Sequence, residues 1–158
     1  MNWKVIVIGG VVFSAVTWVL SFITGPLIHN GILLDDSQAT AQFWRPELVQ
    51  QPPDMAALLP RWIVSGLISS FIFAGIYDVV RGALTGPGWK RGLKFGVILV
   101  LFNVSWSLGY SGVFNLPDTI WAWWAVDGTI MYLLASAVLG WLAERLAPSS
   151  ASFARAAV

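Results

Sequence analysis

Residues 119–142 read TIWAWWAVDGTIMYLLASAVLGWL, a run of apolar, aromatic and small residues interrupted by one carboxylate, Asp127. A helix that crosses a membrane needs about 20 mostly apolar residues to span a hydrocarbon core of about 30 Å, and this stretch is long enough. Segments 5–24, 62–80 and 93–114 meet the same requirement. Together the four predict an all-α integral membrane protein, a four-helix transmembrane bundle forming one domain over 1–148. A long extramembrane loop is expected at 26–60 and a flexible tail at 149–158.

Composition agrees. The chain has 158 residues, 57% hydrophobic and 11% charged, with a mean hydropathy of +0.73. Soluble domains carry about 25% charged residues, so this chain has too few to cover a wet surface. It contains no cysteine, which excludes disulfides and thiolate metal sites, and a single histidine, His29. One histidine cannot supply a bis-histidine haem or a multi-histidine zinc centre, and no cofactor is expected. A net charge of +1 without a basic stripe argues against a nucleic-acid partner. The first apolar run follows Lys4 but is too long for a signal peptide and lacks a small-x-small cleavage site, so it reads as a retained anchor.

Orientation follows from lysine and arginine in the loops. The segment RGALTGPGWKRGLK holds Arg81, Lys90, Arg91 and Lys94 with no acid. The first loop holds Asp35, Asp36, Glu47 and Asp54 against Arg45 and Arg61, and the third, NLPD, holds only Asp118. Lys4, Arg145 and Arg155 fall on the side of the basic segment. Both termini are therefore expected in the cytoplasm. Trp3, Trp89 and Trp141 fall near that boundary; Trp62, Trp121, Trp123 and Trp124 fall near the other, as a belt of amphipathic rings would.

Within the long loop, DDSQATAQFWRP predicts a short interfacial helix capped by Asp36 or Ser37, ending before Pro46. QQPPDMAALLP predicts a turn or two capped by Asp54 and stopped at Pro60. His29, just past Pro26, reads as an interfacial polar residue rather than a ligand. The segment GALTGPGWKRG lacks the GxxxxGK[ST] spacing of a phosphate-binding loop and reads as a tight hairpin whose basic residues attract anionic lipid.

At 1.5 Å per residue, Asp127 lies about 12 Å inside the fourth span, near the midplane. Counted from the opposite edge, Asn103 and Ser107 lie about 15 and about 21 Å deep. Ser14, Thr17, Ser69 and Ser70 come to similar depth. Asn103, Trp106, Ser107 and Tyr110 share one helical stripe, as do Ser14, Thr17, Trp18 and Ser21, while Trp123 and Trp124 sit one turn from Asp127. An acid at that depth costs at least about 2.5 kcal/mol and faces the bundle interior. The candidate ligand or proton site is therefore Asp127, Asn103, Ser107, Thr17, Trp106, Tyr110 and Trp124.

Two accounts of Asp127 stand side by side: a neutral packing donor to Asn103 or a hydroxyl, and an acid that exchanges a proton or holds a cation. Small-x-x-x-small pairs (Ser65/Ser69, Gly66/Ser70, Ser136/Gly140) favour close packing. Asp78, three residues before Arg81, reads as a snorkelling structural pair. GYSGV at 109–113 lacks the last glycine of a nucleophile elbow, no HExxH is present, and Asp78 and Asp127 lie at different depths. No enzyme is expected.

The closing pattern WWAVDGTIMYLLASAVLGWLAERL, preceded by a basic hairpin, resembles small four-helix bacterial inner-membrane proteins of unknown function. That resemblance implies a stand-alone bundle or a subunit in a bacterial inner (cytoplasmic) membrane and carries no site residues across. The expected function is an accessory or structural membrane protein binding lipid, an apolar ligand or a partner, within a larger membrane complex or a homo-dimer. The alternative is a small proton-coupled transporter using Asp127.

Overall fold

The computed structural model describes residues 1–50 and 52–147; the expected tail at 149–158 lies outside them. Four helices are long and apolar enough to cross a membrane. The first is α1 (Trp3–Thr24), continued without a break by a π-helical segment over Gly25–Ile32. Two short helices follow, α2 (Leu34–Ala39) and α3 (Pro46–Val49). The other three long helices are α4 (Met55–Val80), α5 (Gly88–Ser111) and α6 (Asp118–Leu146).

Each boundary has a local cause. Asn2 caps α1 by accepting from the Lys4 N–H at 3.0 Å. Asp54 caps α4 by accepting from the Ala57 N–H at 3.1 Å. The turn expected to stop at Pro60 does not stop. The helix runs through Pro60, so segment 55–60 belongs to the second span and not to the loop. Proline removes one N–H bond near the helix start, and the apolar residues beyond it keep the helix going. Likewise α5 begins at Gly88 and not at 93, placing Lys90 and Arg91 on the helix. The true connection is short and turns at Gly86, whose φ of +111° only glycine adopts freely. The first interfacial helix starts at Leu34, two residues before its expected cap.

The helices form a row: α4 packs on α1, α1 on α6, and α6 on α5. The α5–α6 hairpin is the tightest contact, and Asn103, bonded to the Ala125 carbonyl and abutting Gly128, lies in its seam. It is built on Gly88, Gly92 and Gly96, which lie against the backbone of Tyr132, Ser136 and Gly140. In lipid, where burying apolar surface gains little, close backbone approach of this kind supplies the attraction.

The two halves of the bundle differ. Towards the end that carries the N-terminus, Val5, Phe13, Ala74, Tyr77, Phe95, Leu99, Ala135, Leu139 and Ala143 form a closed core. Polar groups seal it: Arg91 meets Glu144 at 2.9 Å, the Gly88 N–H donates to Glu144 at 2.6 Å, and Arg81 meets Asp78 at 3.0 Å. Towards the other end the packing opens.

Candidate functional site

α1 carries three hydroxyls that bond back to its own backbone: Thr17 to the Ser14 carbonyl, Ser21 to Thr17 and Thr24 to Leu20. Such bonds loosen and bend helices. Immediately beyond, Pro26 has no N–H to give, and the chain widens into i→i+5 bonding, closing with the Leu33 N–H on the Ile28 carbonyl at 2.8 Å. A π-turn rotates less per residue than an α-turn, so residues 25–32 present different faces from those an α-helical count assigns. π-segments are uncommon and concentrate at functional sites.

The side chain re-aimed in this way is His29. Its Nε2 lies 3.3 Å from Asp127 Oδ2 on α6. The imidazole is 42% exposed and the carboxylate side chain 12%. Asp127 thus has a basic partner at its own depth, which the count of lysines and arginines did not provide. Its other oxygen, Oδ1, is buried with no hydrogen-bond partner. The expected bond to Asn103 is not formed: Asn103 Nδ2 donates to the Ala125 carbonyl at 3.4 Å and its amide abuts Gly128.

Beside the pair lies a cavity of about 1180 Å³ between α1, α4 and α6. Phe13 touches Phe73, and Phe73 touches Tyr132, at ring distances of 5.8 and 5.7 Å, and these three aromatics floor it. Beyond the floor α4 and α6 part, with α1 forming the back wall. Its walls are Thr17, Trp18 and Ser21 from α1, Trp62, Ser65, Gly66, Ser69 and Ser70 from α4, and Trp124, Asp127 and Met131 from α6. Residues 34–50 and Pro53 roof it, with Leu34, Gln38, Trp44 and Leu48 among the lining side chains. The roof is held by Asp36, which accepts from the Thr119 hydroxyl, and by Ile28, Leu33 and Ile120 packed under Trp44 and Trp123. At its outer edge Arg45 pairs with Glu47 at 3.0 Å, and that guanidinium holds the Glu47 carboxyl below its usual range.

No protein-family model, curated protein or solved structure matches this chain.

Of the expected site residues, Asp127, Thr17 and Trp124 line the cavity. Asn103, Ser107, Trp106 and Tyr110 do not, because α5 packs on the side of α6 away from α1. Trp106 is exposed outright. It joins the site only through a run of touching rings, Trp106–Tyr110–Phe114–Trp121–Trp124–Trp44, with centroids 5.2 to 6.5 Å apart. The residues that the helical count missed are His29 and the roof. Pro26 between Gly25 and Gly31 was the one signal for the first; for the second, the length of the loop and its Phe43 and Trp44 allow a ligand-binding lid, but the sequence alone favours a Pro-punctuated connector on the membrane.

Four of the cavity hydroxyls are engaged within their own helices. Thr17, Ser21, Ser65 and Ser70 each donate to a carbonyl of their own helix. A His–Asp pair can hold a ligand or a proton.

Proposed function

We propose that the protein binds an apolar or amphipathic molecule in the cavity between α1, α4 and α6, without catalysing a reaction on it. The observation that carries this reading is the cavity itself. Ligand sites are typically concave and mostly apolar, with a few converging polar groups, and here a largely aromatic and aliphatic space contains one His–Asp pair. A core meant only for packing would be filled at that depth.

The test uses Gly66, which lines the cavity and has free space where a side chain would go: a Cβ there meets only Trp18 Nε1, at 4.0 Å. Gly66→Leu should fill the space and, by replacing a helical glycine, hold or raise the unfolding midpoint. Bromododecanol, a neutral amphiphile that quenches tryptophan, should quench Trp18, Trp44, Trp62 and Trp124 saturably in the native protein. That saturable component should weaken at least tenfold in Gly66→Leu. Equal quenching in both proteins would remove the binding role.

An inner-membrane location follows the resemblance noted above, and cytoplasmic termini are supported by the basic residues over 81–94 and the acidic loop at 35–54. Reporter fusions at Asp36 and at Val158 should then report opposite sides, and agreement between them would overturn the topology. The His29–Asp127 pair also supports a second reading, a proton-coupled carrier, for which a proton can pass between imidazole and carboxylate. Reconstituted vesicles would distinguish the two, since a carrier moves protons with its substrate and a binding protein does not.

A further inference from the structure

We propose that the ligand is an amphipathic organic cation, and that His29 occupies the place of its charged group against Asp127 while the cavity is empty. The proposal rests on the binding role above. Asp127 is the one acid lining the cavity among the described residues, and neither lysine nor arginine lines it. An anionic amphiphile would meet no permanent positive charge there.

The carboxylate is also under-bonded. Asp127 is 8% exposed, Oδ1 has no partner, and Oδ2 has only His29 at 3.3 Å. An ionised carboxylate can accept about four hydrogen bonds, and charge-assisted ones close to about 2.7–2.9 Å. The histidine contact is therefore loose and leaves most of the acceptor capacity unused. The same cavity is lined by Trp18, Trp44, Trp62 and Trp124; Trp124 is one helical turn from Asp127 and meets Trp44 edge-on at 5.7 Å. An acid beside tryptophan faces is the combination that attracts alkyl- and arylammonium groups, through charge and through the ring quadrupole.

His29 is suited to give way. It sits on the π-helical segment, its side chain is 42% exposed, and its polar contact among the described residues is Asp127. An incoming cation replaces the imidazole at Oδ2, or engages Oδ1 beside it, while its apolar body fills the space under the roof.

Two probes of one shape and opposite charge decide the matter: tetraphenylphosphonium and tetraphenylborate, measured by equilibrium dialysis against the purified full chain in detergent. The phosphonium should bind saturably. Asp127→Asn should weaken it at least tenfold, His29→Ala should leave it as tight or tighter, and tetraphenylborate should show no dependence on Asp127. His29→Lys tethers a permanent cation against the acid and should also weaken the phosphonium at least tenfold, which keeps the test decisive if Asp127→Asn does not fold. Phosphonium affinity unchanged within twofold in both Asp127→Asn and His29→Lys would overturn the cation assignment. If bromododecanol still responds to Gly66→Leu in that case, the binding role survives and only the ligand class falls.

Discussion

Gly92→Leu should abolish the folded bundle, and Gly92→Ala should already lower its stability by about 2–3 kcal/mol, the upper part of the range for overpacking a core. Any Cβ at residue 92 falls inside the contact distance of the Ser136 carbonyl, within 2.9 Å of its carbon and 3.0 Å of the Gly140 Cα. Those atoms are backbone, held by the ladder of α6, and cannot swing aside as a side chain would. The helices must separate, and Gly88 and Gly96 lose their contacts together with Gly92. Gly109→Leu is the control: it lies on the same helix with nothing within 4 Å, so the same substitution should leave the unfolding midpoint unchanged or slightly raised. Thermal denaturation of the three variants in mild detergent checks this. Equal effects at residues 92 and 109 would mean that the hairpin does not depend on its glycine stripe.

The contrast between Gly92 and Gly66 shows where reading a membrane sequence stops. Hydropathy identifies the four spans because each must be apolar along about 20 residues whatever it packs against. Packing faces are less legible, since in lipid nearly every face is apolar and no amphipathic stripe marks the interior. Ser136/Gly140 carried a correct signal for α6, but Ser65/Ser69 and Gly66/Ser70 show the same spacing and border the cavity. Small residues permit close approach without requiring it. Only the partner decides, and the partner is not in the local sequence.

The expected polar layer was only partly one site. Asp127, Thr17, Ser69 and Ser70 do line one space. Asn103, expected in the same layer, serves the α5–α6 seam, bonding to the Ala125 carbonyl. Height along the bilayer normal leaves azimuth undetermined. For His29 the count failed for a more specific reason. It assumed that the helix ends at Thr24, where Pro26 would break it, whereas the chain accommodates the proline by changing to i→i+5 bonding and continues to Ile32. The residue assigned to the interface is thereby carried to the acid.

Arg81→Leu should cost about 3–5 kcal/mol, the range for removing one partner of a buried ion pair. Arg81 Nε lies 3.0 Å from Asp78 Oδ1, as an ion pair rather than an aligned hydrogen bond, and the two side chains are 16% and 3% exposed. Asp78 Oδ2 accepts from the Asn2 N–H at 2.6 Å, at the start of α1. Arg81 Nη1 donates to the Ala143 and Ala147 carbonyls at 3.2 and 2.8 Å, at the end of α6. Each charge thus meets the helix end of opposite sign, the acid at an N-terminus and the guanidinium at a C-terminus, and the pair ties three helix ends together. Removing Arg81 leaves the Asp78 carboxylate with the Asn2 amide alone and leaves the α6 carbonyls without their cap. In the double variant Asp78→Asn, Arg81→Leu no buried charge remains, and about half of the loss should be recovered, because desolvating an uncompensated carboxylate makes up much of the single-variant cost. Unfolding midpoints of the two single variants and the double variant give the coupling directly. If the effects of the single variants simply add, the two side chains act independently and the three helix ends are not tied through this pair.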